Sequence, residues 1–291
     1  MNILVTGACG FVGQHVCRYL QKKHTLHKID STTSEDVLTV DLSDMDQAKD
    51  ISHKIQKDVR IDVILHLASK LMGAPDIENI GVFYDNIRMV ESVIALAKDI
   101  KPGKVVNISS MAVYPAIDGT FFETSQIQTS CNADCLYGLS KFCSENLIDF
   151  MLNKRGILTA HLRVSQIVGQ GMRTDRVVPM MLKELSENNT ITVRGNGERV
   201  SNFIHIDKLV SLIGLFVEQD ISGIYNVGGV NISYYDLAQR LIMEHGNKRS
   251  RIIKIDDKPG SNFRLSVDKL SAALKLRGVD PVLVNGVEHW Q

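Results

Sequence analysis

Asn2-Ile3-Leu4-Val5-Thr6-Gly7-Ala8-Cys9-Gly10-Phe11-Val12-Gly13 decides the fold. Ile3 to Val5 is a short apolar run of the kind that forms a buried strand, and Phe11, Val12, Val16 and Leu20 recur after it at helical spacing. Between the two lie three glycines at three-residue intervals. Gly7 permits a tight turn out of the strand, and Gly10 lets a pyrophosphate approach the backbone with no Cβ in the way. Gly13 lets the helix pack closely on the sheet, and the helix N-terminus offers free N–H groups and the positive end of a dipole. Strand, glycine turn and helix in this order make a dinucleotide cradle. The spacing is Gly-x-x-Gly-x-x-Gly rather than Gly-x-Gly-x-x-Gly, and the flanking strand and helix weigh against a mere glycine-rich turn.

The 291 residues suffice for a large core, as one big domain or two unequal lobes. Lys plus Arg equals Asp plus Glu at 33 each, so no polyanion and no anionic membrane is expected as partner. No apolar run approaches membrane-spanning length, and the N-terminus carries the glycine motif instead of a basic flank, so it reads as a working part and not a signal peptide. Five scattered cysteines (Cys9, Cys17, Cys131, Cys135, Cys143) fit reduced thiols in the cytoplasm. Cys131 and Cys135 lack Cys-x-x-Cys spacing, so no metal site is expected.

The first half alternates strands and helices. Ile3–Val5, Thr25–Ile29, Val37–Val40, Val63–Leu67 and Lys104–Ile108 read as strands, with helices to about Gln21, from Asp44 to Lys57 and from Val82 to Lys98. Such alternation predicts an α/β fold with a doubly wound parallel sheet and a site off the carboxyl ends of its strands. After about Gln166 the pattern loosens: Asn188-Asn189, Gly195-Asn196-Gly197, Gly228-Gly229, Pro179, Pro259 and Pro281 punctuate it. Residues 1–165 are expected to form the dinucleotide-binding domain, with 203–227 returning to it. Residues 166–202 and 228–291 are expected to form a smaller, substrate-binding lobe.

Asp30 ends the second strand, where a carboxylate accepts hydrogen bonds from adenosine ribose and repels a 2′-phosphate; this favours NAD over NADP, with a turn-forming Asp as the plain alternative. Asp41-Leu42 either meets the adenine edge or caps the next helix. Tyr137-Gly138-Leu139-Ser140-Lys141 puts a phenol and an ammonium on one helical face. The cation favours phenolate and suits the tyrosine to proton transfer near neutral pH. Taken alone the pair is commonplace, but here it follows a strand ending in Ser109-Ser110, in a chain with a dinucleotide cradle. Ser110 is placed to hydrogen-bond the oxygen being reduced or oxidised. Ser109 is either at the cofactor or a strand-end hydroxyl with a local bond.

Together these residues resemble the extended short-chain dehydrogenase/reductase family, whose members act mostly on nucleotide sugars. The resemblance covers nearly the whole chain. It rests on Thr6 to Gly13, His66-Leu67-Ala68-Ser69, Asn86, Ser109 to Tyr114 and Tyr137-x-x-x-Lys141, and continues through Leu162-Arg163, Phe203 to Asp207 and Tyr225 to Gly229. It implies that Ser110, Tyr137 and Lys141 are catalytic and that Lys141 also holds the nicotinamide ribose. Leu67, Ala68 and Ser69 would line the cofactor cleft, Asn86 would help hold the site, and Met111 would face substrate. A homodimer through the helices Val82–Lys98 and Tyr137–Met151 is usual in such a family.

Departures narrow the chemistry. Where 4,6-dehydratases carry Asp-Glu after the catalytic hydroxyl residue, this chain has Met111 and Ala112, neither of which exchanges a proton. Ala112 also stands where GDP-fucose-synthase-like enzymes carry a Cys, which disfavours 3,5-epimerisation. Reduction of a 4-keto nucleotide sugar is the leading reading. A 4-epimerase with tightly bound NAD comes next, then a non-catalytic dinucleotide-binding sensor or scaffold. Ser201-Asn202 replaces the usual phosphate-binding Arg-Asp, with Arg199 close by and Arg194 near; Arg264 stands where relatives often hold a second phosphate contact. The planar fork of arginine suits phosphate. Gln166 takes the place of an Asn facing the sugar. His66 and His205 read as structural, and Met180 and Met181 as packing.

Overall fold

The computed structural model of the chain describes residues 1–55, 59–72, 77–256 and 260–279. Lys57, Pro259 and Pro281 from the sequence reading lie outside the described residues. The first half runs β1 (Asn2–Thr6), α1 (Phe11–Leu20), β2 (Thr25–Asp30), β3 (Val37–Thr39), α2 (Met45–Ile55), β4 (Val63–His66), α3 (Ile80–Ile100), β5 (Lys104–Ser110), β6 (Gly119–Phe121) and α4 (Cys135–Leu152). It continues with β7 (Leu158–Val164), β8 (Gln166–Val168), α5 (Val177–Asn188), β9 (Thr190–Arg194), β10 (Val200–His205), α6 (Ile206–Glu218) and β11 (Gly223–Val227). The chain then forms β12 (Val230–Ser233), α7 (Tyr234–His245), β13 (Arg251–Ile255), β14 (Phe263–Leu265) and α8 (Asp268–Lys275).

Seven strands form one sheet in the order β11-β7-β5-β4-β1-β2-β3. Pairing is parallel from β3 through to β7, with Ile3 opposite both Leu26 and Val63. Strands buried on both faces need near-continuous apolar side chains, which Ile3-Leu4-Val5 and Val63-Ile64-Leu65 supply. The chain winds from β1 outward to β3 and then crosses to β4, so the direction of winding reverses between β1 and β4. The carboxyl ends of neighbouring strands part at such a switch point and leave a crevice. Beneath it, Leu4, Ile64 and Val105 pack with Met89, Val93 and Ile94 of α3 and with Ile148 and Leu152 of α4. α3 is started by the Asn79 side chain, which accepts the Gly81 N–H at 3.0 Å, and is stopped at Lys101 by a left-handed residue.

The chain divides into two compact units. The first comprises Met1–Pro115, Gln126–Val164 and Val210–Tyr225; the second comprises Ala116–Ser125, Ser165–Leu209 and the chain from Asn226. One passage from the first unit to the second follows Val164. The segment returning to the first unit is Val210–Tyr225 and not 203–227, because β10 pairs with β8 and β12 within the second unit. Ala116–Ser125 joins the second unit because β6 pairs with β14, where Phe121 stacks on Phe263 at 4.7 Å. β9 and β13 form another parallel pair there. The second unit has its own core of Val168, Met181, Leu185, Phe203, Leu237 and Leu241. Met181 is therefore packing, as expected, whereas Met180 is 59% exposed. Among the described residues no helix is long and apolar enough to cross a membrane.

Candidate active site

β1 delivers the chain to Gly7, whose φ of +73° is left-handed. A Cβ there would lie 2.6 Å from the Ala68 nitrogen, so this glycine is demanded both by its turn and by the neighbouring strand end. A Cβ on Gly13 would run into the Gly7 carbonyl and Ala8, the close helix–strand approach anticipated for it. Gly10 differs: a Cβ would meet only the Gly7 oxygen at 3.3 Å, so its open side faces away from protein. Gly10 is also the N-cap of α1 and brings no capping side chain, and the first turn holds no acid. The first-turn N–H groups thus remain for an anion. Phe11 and Val12 sit in that turn, Phe11 edge-on to His15 at 5.5 Å.

Beside the cradle lies a cavity of about 240 Å³. Gly7, Gly10, Asp30, Asp41, Leu42, Leu67, Ala68 and Ser69, all anticipated, line it. Asp30 is fixed by two backbone donors, Cys9 N–H at 2.9 Å and Thr32 N–H at 2.8 Å, which hold its carboxylate at the cavity wall. Asp41 does not cap α2. Asp44 does so, accepting from the Asp46 and Gln47 N–H groups. Asp41 instead accepts the Ser43 hydroxyl and N–H at 2.7 and 2.8 Å, bonds that hold its carboxyl below the usual range. The sequence reading missed Lys70, Val40 and Met89 on this wall. Lys70 directly follows Ser69, and Met89 lies three residues beyond Asn86 on α3, so both were within reach of the spacing argument.

Asn86 stands behind the wall, 4% exposed. Its Oδ1 accepts the Lys70 N–H at 2.8 Å and the Ser69 hydroxyl at 3.2 Å, while its amide donates to the Lys70 carbonyl and to Ser140 Oγ. Ser140 in turn donates to the Tyr137 carbonyl at 2.7 Å. One side chain therefore ties the cavity wall to the turn of α4 that carries the phenol. His66 is fully buried and hydrogen-bonded to Thr6 Oγ1 at 2.8 Å; burial, with the Lys141 charge adding, pushes it down to about 3. It is neutral and structural.

Ser110 closes β5 and starts the one-turn helix Met111–Val113; its Oγ accepts the Ala112 N–H at 3.1 Å, which leaves the hydroxyl hydrogen to donate. Met111, half-buried, is the first residue of that turn. α4 approaches it through Gly138, where a Cβ would collide with the Ala112 carbonyl. This glycine, unremarked in the sequence, sets how near Tyr137 comes to the strand end. Lys141 is 5% exposed, its ammonium 5.5 Å from the Tyr137 ring centroid and 2.9 Å from the Ile108 carbonyl it donates to. Burial pushes Lys141 down to about 8, against an opposing pull from Glu145. Ser109, expected at the cofactor, instead turns its hydroxyl inward to Glu145, because alternate residues of a strand face opposite ways.

Three anticipated substrate contacts belong to the second unit. Gln166 donates its amide to Ser201 Oγ at 2.7 Å. Arg199 lies over the Tyr234 ring at 4.9 Å, and Arg264 projects exposed from β14. Ser201 and Asn202 are buried in β10; Asn202 accepts the Gly229 N–H and donates to Asn231, so this pair holds strands together.

The model of the NAD dependent epimerase/dehydratase family matches residues 3–228. A dTDP-D-glucose 4,6-dehydratase from Dictyostelium discoideum is 24% identical over 266 residues, 83% of this chain; the chain spans only 61% of that relative's length. A dTDP-4-dehydro-6-deoxyglucose reductase from Escherichia coli is 24% identical over 97% of this chain and 93% of its own. The crystal structure of Thermus thermophilus UDP-glucose 4-epimerase with NAD has the same fold, with a TM-score of 0.77 at 19% identity over 100% of this chain and 96% of that one. By the extent of the family match and by the cradle and Tyr137–Lys141 geometry that accompany it, this chain belongs to the NAD dependent epimerase/dehydratase family.

Proposed function

We propose that the chain is an NAD-dependent oxidoreductase that reduces the 4-keto group of a nucleotide-diphosphate sugar. The observation that carries this reading is the buried Lys141 ammonium against the Tyr137 ring, on the helix that also abuts the Ser110 strand end. The reduced dinucleotide, NADH, when bound, would supply the hydride and be released as NAD. Gly10 and the first turn of α1 would hold its pyrophosphate, and the fixed carboxylate of Asp30 its adenosine ribose, where a 2′-phosphate would be repelled. Lys141 would hold the nicotinamide ribose and favour the phenolate of Tyr137. Ser110 donates a hydrogen bond to the carbonyl oxygen, and Tyr137 protonates that oxygen as it becomes an alcohol.

Met111 and Ala112 offer no acid, base or thiol, which supports simple reduction over dehydration or 3,5-epimerisation. The reductase likeness over nearly the full length of both chains supports it too. A second reading, a 4-epimerase that keeps its NAD, is favoured by Asp30. Gln166, Arg199 and Arg264 are our candidates for the sugar and diphosphate. Homodimerisation through the outer faces of α3 and α4 is part of the same reading, supported by Tyr84 and Phe150, 50% and 66% exposed there. A cytoplasmic location is supported by five free cysteines.

Purified protein given NADH and a dTDP-4-keto-6-deoxy sugar should consume the NADH, and Tyr137→Phe should reduce kcat by at least about a hundredfold while leaving NADH binding intact. An unchanged rate in the variant refutes the tyrosine's role. Protein that retains NAD and interconverts C4 epimers without net NADH use selects the epimerase.

A further inference from the structure

α4 does not meet the sheet with an apolar stripe alone. Positions four residues apart, Tyr137, Lys141, Glu145 and Asp149, lie along one face, and three of them are anchored on strands. Lys141 reaches the Ile108 carbonyl of β5. Asp149 accepts from His161 and Thr159 of β7. Glu145 stands between them, 1% exposed, and the mechanism above makes no use of it. Its Oε1 accepts from Arg163 Nε at 3.0 Å, its Oε2 from Arg163 Nη2 at 2.7 Å, and Ser109 adds a hydroxyl. Arg163 also donates to Tyr114 Oη at 2.9 Å. A buried ion pair is poor evidence of stability by itself, since apolar packing often does as well or better. Its position asks for another reason: it lies one turn below Lys141 and is bonded to the residue just before Ser110.

We propose that Glu145 is a positioning residue for the catalytic trio: its carboxylate, held in place by Arg163 and Ser109, keeps the buried Lys141 amine protonated at neutral pH and locks the Ser109-Ser110 strand end to the face of α4 that carries Tyr137. The titratable and charged groups around Lys141 are Tyr137 and Glu145 on α4 and His66 at the end of β4, with Arg163 of β7 beyond Glu145. His66 is buried and neutral, so Glu145 is the anion among them that opposes the effect of burial on the amine. Ser109 fixes the strand, Arg163 fixes the carboxylate, and the carboxylate sets the charge of the lysine.

The inference rests on the oxidoreductase reading for its consequence, but its test does not. Protein carrying 13Cε-labelled lysine is titrated by NMR, with the Lys141 signal assigned by its loss in Lys141→Arg. In Glu145→Gln the Lys141 midpoint should fall by about one pH unit. Glu145→Gln alone leaves Arg163 without its carboxylate and risks misfolding, so the second variant is Glu145→Gln with Arg163→Gln, which removes both members of the buried ion pair. The midpoint should fall there also, because Glu145 acts on the amine and Arg163 is not among the groups that shift it, and Glu145→Asp should restore part of the fall. A Lys141 midpoint unchanged in the double variant overturns the proposal. If NADH-dependent turnover is found, the alkaline limb of kcat/KM should move down with the midpoint; a limb that stays while the midpoint moves overturns the functional part. Absence of turnover in the wild type bears on the oxidoreductase reading alone.

Discussion

At the scale of single residues the site is governed by what is missing as much as by what is present. Gly138 has no Cβ, and this lets α4 press on the Ala112 carbonyl. Gly138→Ala forces that contact apart. Overpacking of this kind costs about 1–3 kcal/mol, and a tyrosine displaced from the strand end should lose most of its activity. Thermal unfolding together with turnover checks both, and a variant with wild-type kcat would show that the approach does not matter. His66 makes a pH prediction. Its folded value of about 3 lies below the unfolded 6.5, so between these limits the unfolded chain binds a proton that the folded one refuses. Stability should therefore fall as pH drops below about 6.5, by up to about 1.4 kcal/mol per unit. His66→Gln should flatten that slope in urea unfolding curves. Lys141 works over another window. Between its folded value of about 8 and the ordinary 10.5, the unfolded amine holds a proton that the folded one has released. Stability should rise with pH across that range.

At the scale of elements, α3 and α4 are more than supports for the sheet. Asn86 of α3 takes four hydrogen bonds to Ser69, Lys70 and Ser140, so Asn86→Ala leaves buried polar groups on two elements without partners. A loss of about 1–3 kcal/mol follows for each such group, and both cofactor affinity and kcat should suffer; an effect on stability alone would argue that the wall and the tyrosine are not coupled through it. What the sequence disclosed follows the same division. β1 to β5 were legible because buried parallel strands are continuous apolar runs set between helical periods. β6 with β14 and β9 with β13 were not, since each is a short pair joining residues distant in the chain, with no local pattern to announce it. In the site, the cradle glycines, Asp30 and the Tyr137–Lys141 pair were legible because their chemistry fixes their spacing. Gly138 and Glu145 were not, because their roles arise from what folding brings next to them. Ser109 was half legible: the strand end was right, and the pleat turned the side chain the other way.

At the scale of the whole molecule, the two units are discontinuous in the chain, each built from three segments. The expected division was interleaved too, with 203–227 returning to the first domain, but it did not include the passage of Ala116–Ser125 into the second unit. The cavity beside the cradle is lined entirely by the first unit, however, and this gives a thermodynamic test of the proposed cofactor. A ligand that binds only the folded state stabilises it by RT ln(1 + [L]/Kd), about 2.7 kcal/mol at a hundred times Kd. For a chain of this size each kcal/mol raises Tm by roughly 2–4 °C, so saturating NAD should raise the melting transition of the first unit by several degrees. NADP at the same concentration should raise it far less, because its 2′-phosphate would meet the carboxylate that the Cys9 and Thr32 N–H groups hold at the wall. Asp30→Ala removes that anion and with it the basis for discrimination: the NAD shift should shrink while the NADP shift grows or stays. Calorimetry of wild type and variant with both dinucleotides checks all four values, and equal shifts for NAD and NADP in the wild type would show that Asp30 does not face the ribose.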